Sequence, residues 1–315
     1  MPQPPARRSF LTAGLALGSS AVLAGTPAYA GDPTGATTSS PERVAEQPPL
    51  IGPATDGDLH VMSFNIRYPS GDDTGARSWE ERRGMIDTLL AAERPTVIGI
   101  QEAFLHQGQD ILAGLGSGYD WVHHGRRHGS EDEATAVYYD SERLRVREYD
   151  HQWLSDEPRL IGSATWGNQI PRMLTWVRFH DRETDREFVC LNTHFDHASE
   201  DARVRSAEML LRVTGELEVP VVITGDFNAA HDTSGAYRTL VTDGGLSDVW
   251  KDAEEQLTPE YATFNGWEAP ATGDRIDWML AGAGFEIAKV GINSWSQDGN
   301  NPSDHWPVQS LLRLT

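Results

Sequence analysis

The pentapeptide Thr224-Gly225-Asp226-Phe227-Asn228 follows directly on the apolar run Val221-Val222-Ile223. Apolar, β-branched residues ending in Gly-Asp describe a buried strand that delivers a carboxylate to its C-terminal rim. Asp226 and Asn228 are two apart, so extended backbone points both the same way while Phe227 turns into packing. A carboxylate and a carboxamide oxygen converging on one spot suit a hard cation, a phosphate, or both. Gly, Asp and Asn also favour turns, so the pentapeptide alone supports a plain strand-to-turn junction equally well.

The same pattern recurs along the chain. Segment 59–67 alternates and presents Ser63, Asn65 and Arg67 on one side. Segment 96–100 ends in Gln101-Glu102, and Glu133 precedes the run 134–139. Pro171-Arg172 precedes 173–179, and 188–191 runs into Asn192-Thr193-His194. Asp277 lies in the run 276–280, and Ser303-Asp304-His305 precedes Trp306-Pro307-Val308. Two helices fit between these strands. Segment 79–93 spaces Met85, Ile86, Leu89 and Leu90 helically with Pro95 beyond, and segment 201–216 does the same with Val204, Met209, Leu210 and Val213. Most other connections read as too short, or too rich in Gly and Asp, for long helices. The expected class is α/β, with two sheets packed together and helices outside. Any one strand-end residue has a capping or turn explanation, and a lone His194 is more often a satisfied hydrogen-bonding residue than a catalyst. Asn65, Glu102, Glu133, His194, Asp226, Asn228, Asp277, Asp304 and His305 together point to one rim, where ligand sites gather.

The front of the chain is of another kind. Arg7-Arg8-Ser9-Phe10-Leu11 leads into an apolar, Gly/Ala-rich stretch to residue 25, followed by Ala28-Tyr29-Ala30. A charged start, a modest apolar middle and a small-x-small site describe a signal peptide over 1–30, and the paired arginines favour the twin-arginine route. The apolar stretch falls short of the roughly 20 residues a spanning helix needs. Residues 31–56 read as a flexible linker rich in Pro, Gly, Ser and Thr, leaving a domain over 57–315. The expectation is a secreted protein without stable membrane insertion. Cys190 is the only cysteine, so an intrachain disulfide and a Cys-based zinc site are excluded, and its apolar setting reads as a buried thiol. The formal charge of -21, with no Lys/Arg-rich tract, argues against tight non-specific nucleic-acid binding. Nucleic acid as a substrate survives that argument, because a local metal inverts the field at a site.

In order, Ser63-Phe64-Asn65-Ile66-Arg67, Ile100-Gln101-Glu102-Ala103, Asn192-Thr193-His194, Gly225-Asp226-Phe227-Asn228, Arg275-Ile276-Asp277 and Ser303-Asp304-His305 closely resemble the endonuclease/exonuclease/phosphatase superfamily. Ser78-Trp79-Glu80, the run 170–176 and Thr263-Phe264-Asn265-Gly266 are most similar to its bacterial branch of metal-dependent hydrolases. One departure, Phe195 where Leu is expected, exchanges apolar for apolar. The resemblance implies a four-layer α/β sandwich of two mostly antiparallel sheets flanked by helices. It implies a phosphoester hydrolase using Mg²⁺ or Mn²⁺, with phosphodiesters slightly favoured and a phosphomonoesterase on a small metabolite, sugar or lipid headgroup as the alternative. By the same resemblance Glu102, Asn65 and Asp304 hold the metal, and Asp226 with Asn228 handles the attacking water. Asp277 fixes His305, His194 contacts phosphate, and Glu133 pairs with His194. Arg67 and Arg172 are candidate phosphate ligands, and Phe264 and Trp267, with Trp166, candidate cleft walls. A silent binding module is disfavoured because every motif position is filled. An abasic-site repair enzyme conflicts with the leader and the charge. His123, His124 and His128 read as a solvated loop.

Overall fold

The computed structural model describes residues 49–127 and 132–315. The expected signal peptide, the expected linker up to residue 48 and His128 lie outside the described residues. The end of that linker is docked: the N–H groups of Leu50, Ile51 and Gly52 donate to the Glu93 carboxylate at 2.7, 3.1 and 3.0 Å. A nearly buried carboxylate requires such donors, so the domain begins before residue 57.

In chain order the first strands are β1 (Leu59–Asn65), β2 (Val97–Ala103), β3 (Tyr119–Val122), β4 (Ala134–Asp140), β5 (Leu144–Trp153), β6 (Met173–Asp181) and β7 (Arg186–His194). There follow β8 (Val221–Asp226), β9 (Ser247–Asp248), β10 (Glu255–Gln256), β11 (Asp277–Ala281), β12 (Phe285–Ile292) and β13 (Val308–Leu314). The longer helices are α1 (Trp79–Glu93), α2 (Leu105–Leu115) and α3 (Glu200–Gly215). One sheet has the order β10-β12-β13-β1-β2-β4-β3, the other β5-β6-β7-β8-β11-β9. Pairing is mostly antiparallel, but β1 runs parallel to β2, β7 to β8 and the two-residue β10 to β12. Parallel neighbours need a crossover, and α1 and α3 supply it for the first two pairs.

Alternation along the strands sorts side chains into layers. Leu59 and Val61 of β1 enter a core between the sheets with Cys190, Val222 and Met279, whereas Met62 and Phe64 face Ile86, Leu89 and Leu90 of α1. Val221 and Ile223 of β8 meet Ala207, Leu210 and Val213 of α3. The result is helix, sheet, sheet, helix, as expected. The same alternation carries Asn65, His194, Asp226 and Asp277 to one end of the inner faces. Below them a polar layer spans the gap: Gln101 Nε2 and Thr224 Oγ1 both donate to Asn192 Oδ1, at 2.7 and 3.2 Å. Gly99 permits this approach, since a Cβ there would lie 2.0 Å from Thr224 Oγ1.

Two features run against expectation. Helix α2 forms despite Gly108 and Gly114, and Gly108 is needed because a Cβ there would lie 2.4 Å from the Trp121 ring. Strand β5 carries Arg145, Arg147, Glu148 and Asp150 because it is an edge strand with largely solvated faces. Among the described residues no helix is long and apolar enough to cross a membrane.

Candidate active site

The first half of the rim is built on β1 and β2. By alternation Glu102 should share the helix-facing side of Ile98 and Ile100. Its φ of 66°, at a break in the β2–β4 register, turns it away. Asn65 Nδ2 donates to Glu102 Oε1 at 2.9 Å and to Asp226 Oδ2 at 3.0 Å, tying one sheet to the other. The Arg67 N–H donates to Asn65 Oδ1 at 3.0 Å and the Tyr68 N–H to Glu102 Oε2 at 2.9 Å, which fixes both side chains. Arg67 does not continue the strand as expected. It has a φ of 61°, and its guanidinium reaches Asp73 at 3.0 Å and Asp304 at 3.5 Å.

Arg82, fully buried on α1, donates to the carbonyls of Ile66, Arg67, Arg77 and Pro302 at 2.7 to 3.2 Å. It thereby ties the exit of β1 to the segment carrying Asp304. Sequence reasoning passed over Arg82, although its position three residues from both Trp79 and Met85 puts a cation on the apolar stripe of α1. Burial is the largest influence on Asp304 and raises its pKa, with Glu102 adding repulsion against the opposing pull of His305 and Arg67.

The second half joins β8, β11 and the approach to β13. Asp277 sits directly opposite Asp226 in the β8–β11 register. His305 Nδ1 donates to Asp277 Oδ2 at 2.9 Å, while Asp277 Oδ1 is buried without a partner. Burial alone would lower the pKa of His305, but Asp277, by charge and hydrogen bond, with Asp226 and Asp304, holds it well above the usual histidine value. Asp226 is pushed up to about 7, by burial first and then by Asp277.

Thr263 locks this pair. Its Oγ1 accepts the N–H groups of Ile276 and Asp277 at 2.9 and 3.0 Å, and its carbonyl accepts the Trp306 N–H at 2.8 Å. Asn228 departs from the extended geometry expected of it. Strand β8 stops at Asp226, and Asn228 has a φ of 48°. Its N–H donates to Asp226 Oδ1 at 2.9 Å and its Nδ2 to the Phe195 carbonyl at 3.1 Å, so it anchors Asp226.

His194 closes the rim with Nε2 3.5 Å from Asp226 Oδ2. Burial, then Arg172 and Arg126, lower its pKa well below the usual value, so this contact joins a neutral imidazole to the carboxyl and is not an ion pair. Glu133 does not pair with His194 by hydrogen bond. Its Oε1 accepts from Arg126 Nη2 at 2.6 Å, although Glu133, Glu102 and His194 offer ligand atoms within 4.8 Å of one another. Burial pushes Glu133 up to about 7 against the pull of Arg126. Arg172, also buried, donates from Nη2 to His197 Nδ1 at 3.1 Å. Arg126 and His197 escaped sequence reasoning; the Arg-Arg-His run after Gly125 was the one signal for the former.

The aromatic candidates separate. Phe264 is 51% exposed with its ring 5.1 Å from that of His305, and so lines the mouth. Trp267 is half-buried under Arg77 and Arg82, and Trp166 is buried with Nε1 on Asp156. His123 and His124 are not solvated as expected. They are half-buried beside Trp121, Trp153 and His151, and burial takes His123 down to about 4.

A hard divalent cation fits this donor set. Glu102, Glu133 and His194 offer ligand atoms within 4.8 Å of one another, and burial with repulsion from Glu102 raises the pKa values of both Asp304 and Glu133. Asn65 turns Nδ2 toward Glu102 and Asp226, so it orients the carboxylates and keeps one Oδ1 lone pair beyond the Arg67 bond. Carboxylate-rich oxygen sites suit Mg²⁺ or Mn²⁺.

A family model described as the Endonuclease/Exonuclease/phosphatase family matches residues 62–305. A solved structure of an endonuclease/exonuclease/phosphatase family protein from Bacteroides thetaiotaomicron is 30% identical, with a TM-score of 0.76, covering 81% of this chain and 97% of that one. A mannosyl-6-phosphatase from the same species is also 30% identical, with a TM-score of 0.74 and coverage of 81% and 99%. Human nocturnin is 24% identical over 250 residues, 70% of this chain and 54% of its own length. The chain spans a little over half the length of the curated relatives it matches.

Proposed function

Because the chain belongs to the endonuclease/exonuclease/phosphatase family, we propose that it is a divalent-metal-dependent phosphoester hydrolase in which water attacks phosphorus. The observation that carries this reading is the Asp277–His305 bond set against Asp226 on the adjacent strand. Asp226, with a pKa of about 7, is matched to accept the proton of the attacking water near neutral pH. His305, its pKa raised by Asp277, already carries its second proton and is not free to take that one. It stays cationic and offsets negative charge growing on the phosphoryl oxygens. Asn228 and Asn65 hold Asp226 in place, and neutral His194 offers a hydrogen bond to a phosphoryl oxygen. Glu102, oriented by Asn65, and Asp304 would hold Mg²⁺ or Mn²⁺, which when bound polarises the phosphoryl group and offsets charge on the leaving oxygen.

The sequence leans toward phosphodiesters, nucleic acid included. A second reading, phosphomonoesters, is favoured by the similarity to a mannosyl-6-phosphatase. Export by the twin-arginine route remains our reading of Arg7-Arg8 and the stretch after them, and N-terminal sequencing of protein from the culture medium tests it. The decisive experiment for the activity is a panel of phosphoesters with Mg²⁺, Mn²⁺ and Ca²⁺, with Glu102→Ala as control. Turnover that needs no metal, or that survives Glu102→Ala intact, would overturn the proposal.

A further inference from the structure

Arg172 is buried, with 5% of its surface exposed, yet it lacks the partners a buried guanidinium normally has. Its Nε and Nη1 are buried with no hydrogen-bond acceptor. Its one hydrogen bond goes to a neutral acceptor, His197 Nδ1. The nearest carboxylate, Asp196, lies 3.7 Å from Nε and uses its Oδ1 to accept the N–H groups of Ala198 and Ser199. Arg126, a second buried guanidinium, also has an unpartnered Nε, and its contact at 2.6 Å goes to Glu133. Arginine cannot shed its proton in a protein. Three carboxylates lie within ion-pair reach of the two guanidinium groups, Glu133 at 2.6 Å and Asp132 at 3.6 Å from Arg126 and Asp196 at 3.7 Å from Arg172, yet the Nε and Nη1 donors of Arg172 remain without an acceptor. Burial and then Arg126 act against the charge on Arg172, while Glu133, Asp196 and Asp226 favour it.

Resting on the phosphoester reading, we propose that Arg172, supported by Arg126 and oriented through His197, makes the site selective for the dianion of a terminal phosphomonoester over the monoanion of a diester. A monoester carries close to two negative charges near pH 7, a diester one. A desolvated cation in the wall distinguishes these charges by its field, without needing to touch the ester group. The net charge of -21 repels a polymeric diester, whereas for small esters it opposes the dianion more than the monoanion, so the preference rests on this local patch.

The test compares p-nitrophenyl phosphate with bis-p-nitrophenyl phosphate in the metal-loaded enzyme. Wild type should prefer the monoester in kcat/KM. Arg172→Met should lose about 10- to 100-fold on the monoester, the range for one charge-assisted interaction, and about threefold or less on the diester. Inhibition by inorganic phosphate should weaken in parallel. Arg172→Lys, which keeps the charge and guards against misfolding, should retain an intermediate preference. Equal losses on both esters, or a wild type that prefers the diester, would overturn the assignment while leaving the hydrolase reading intact. Cleavage of neither ester by the metal-loaded wild type would remove both.

Discussion

Asp277 and His305 are joined by a 2.9 Å hydrogen bond that passes from one sheet to the segment leading into the other. Asp277→Asn keeps the shape and removes the charge that holds the imidazolium. We expect kcat to fall by about 10²-fold or more, within the usual range for acid–base groups. The sign of the pH effect follows from the raised pKa of His305. Its cationic form persists as pH rises until that pKa is passed, so losing Asp277 brings the alkaline limb to lower pH. A pH–rate profile of the variant checks this, and an unmoved alkaline limb would count against a cationic role for His305.

Asp226 sets the opposite limb. With its pKa raised to about 7, it is protonated, and useless as a base, as pH falls through that value. A cation bound nearby favours the carboxylate, so the acid limb should shift to lower pH as Mg²⁺ is raised. Rate profiles at two Mg²⁺ concentrations measure the displacement, and Asp226→Asn should lose about 10²- to 10⁴-fold.

Metal binding should also be visible without turnover. A ligand that binds only the folded state stabilises it by about 2.7 kcal/mol at a hundredfold excess over Kd. Adding Mg²⁺ or Mn²⁺ after chelation should therefore raise Tm in wild type, and Glu102→Gln should abolish most of that rise. An identical rise in both proteins would place the cation elsewhere.

Thr263 offers a test of positioning. Thr263→Val leaves the N–H groups of Ile276 and Asp277 without their acceptor, at a cost of about 1–3 kcal/mol for each unsatisfied group. Tm should fall, and kcat should fall more than KM changes, because the Asp277–His305 alignment loosens. Thr263→Ser, which retains the hydroxyl, should restore both.

Gly99→Ala tests the spacing of the sheets. The added methyl meets Thr224 Oγ1 at 2.0 Å, Thr224 Cβ at 2.8 Å and Asn192 Oδ1 at 2.9 Å. Overpacking of this kind costs about 1–3 kcal/mol, measurable by denaturant titration.

Much of the rim was legible because strand periodicity is strict. Asn65, His194 and Asp226 each end a run, and Asp277 begins one, whose alternation assigns the inner face. Glu102 and Asn228 were recognised by type, but their orientation was not readable, since left-handed backbone at 66° and 48° breaks the alternation. Arg126 and His197 were missed because their surroundings are loops without a period. Helix α2 was missed because Gly108 serves contact with Trp121 and Tyr138, and Gly114 with Asp87, which local propensity does not register. The charged β5 was missed because an edge strand need not be apolar on either face.

Two of the parallel pairs would divide the proposed chemistry between them. The β1–β2 pair carries Asn65 and Glu102, whereas β7–β8 carries His194 and Asp226. On the roles proposed above, the separation between the cation-holding group and the water-handling group is a property of the gap between sheets, set in part by Gly99 against Thr224. A substitution deep in that gap can detune the reaction while every residue at the mouth is unchanged. In this architecture interior volume serves as a control on rate as well as on stability.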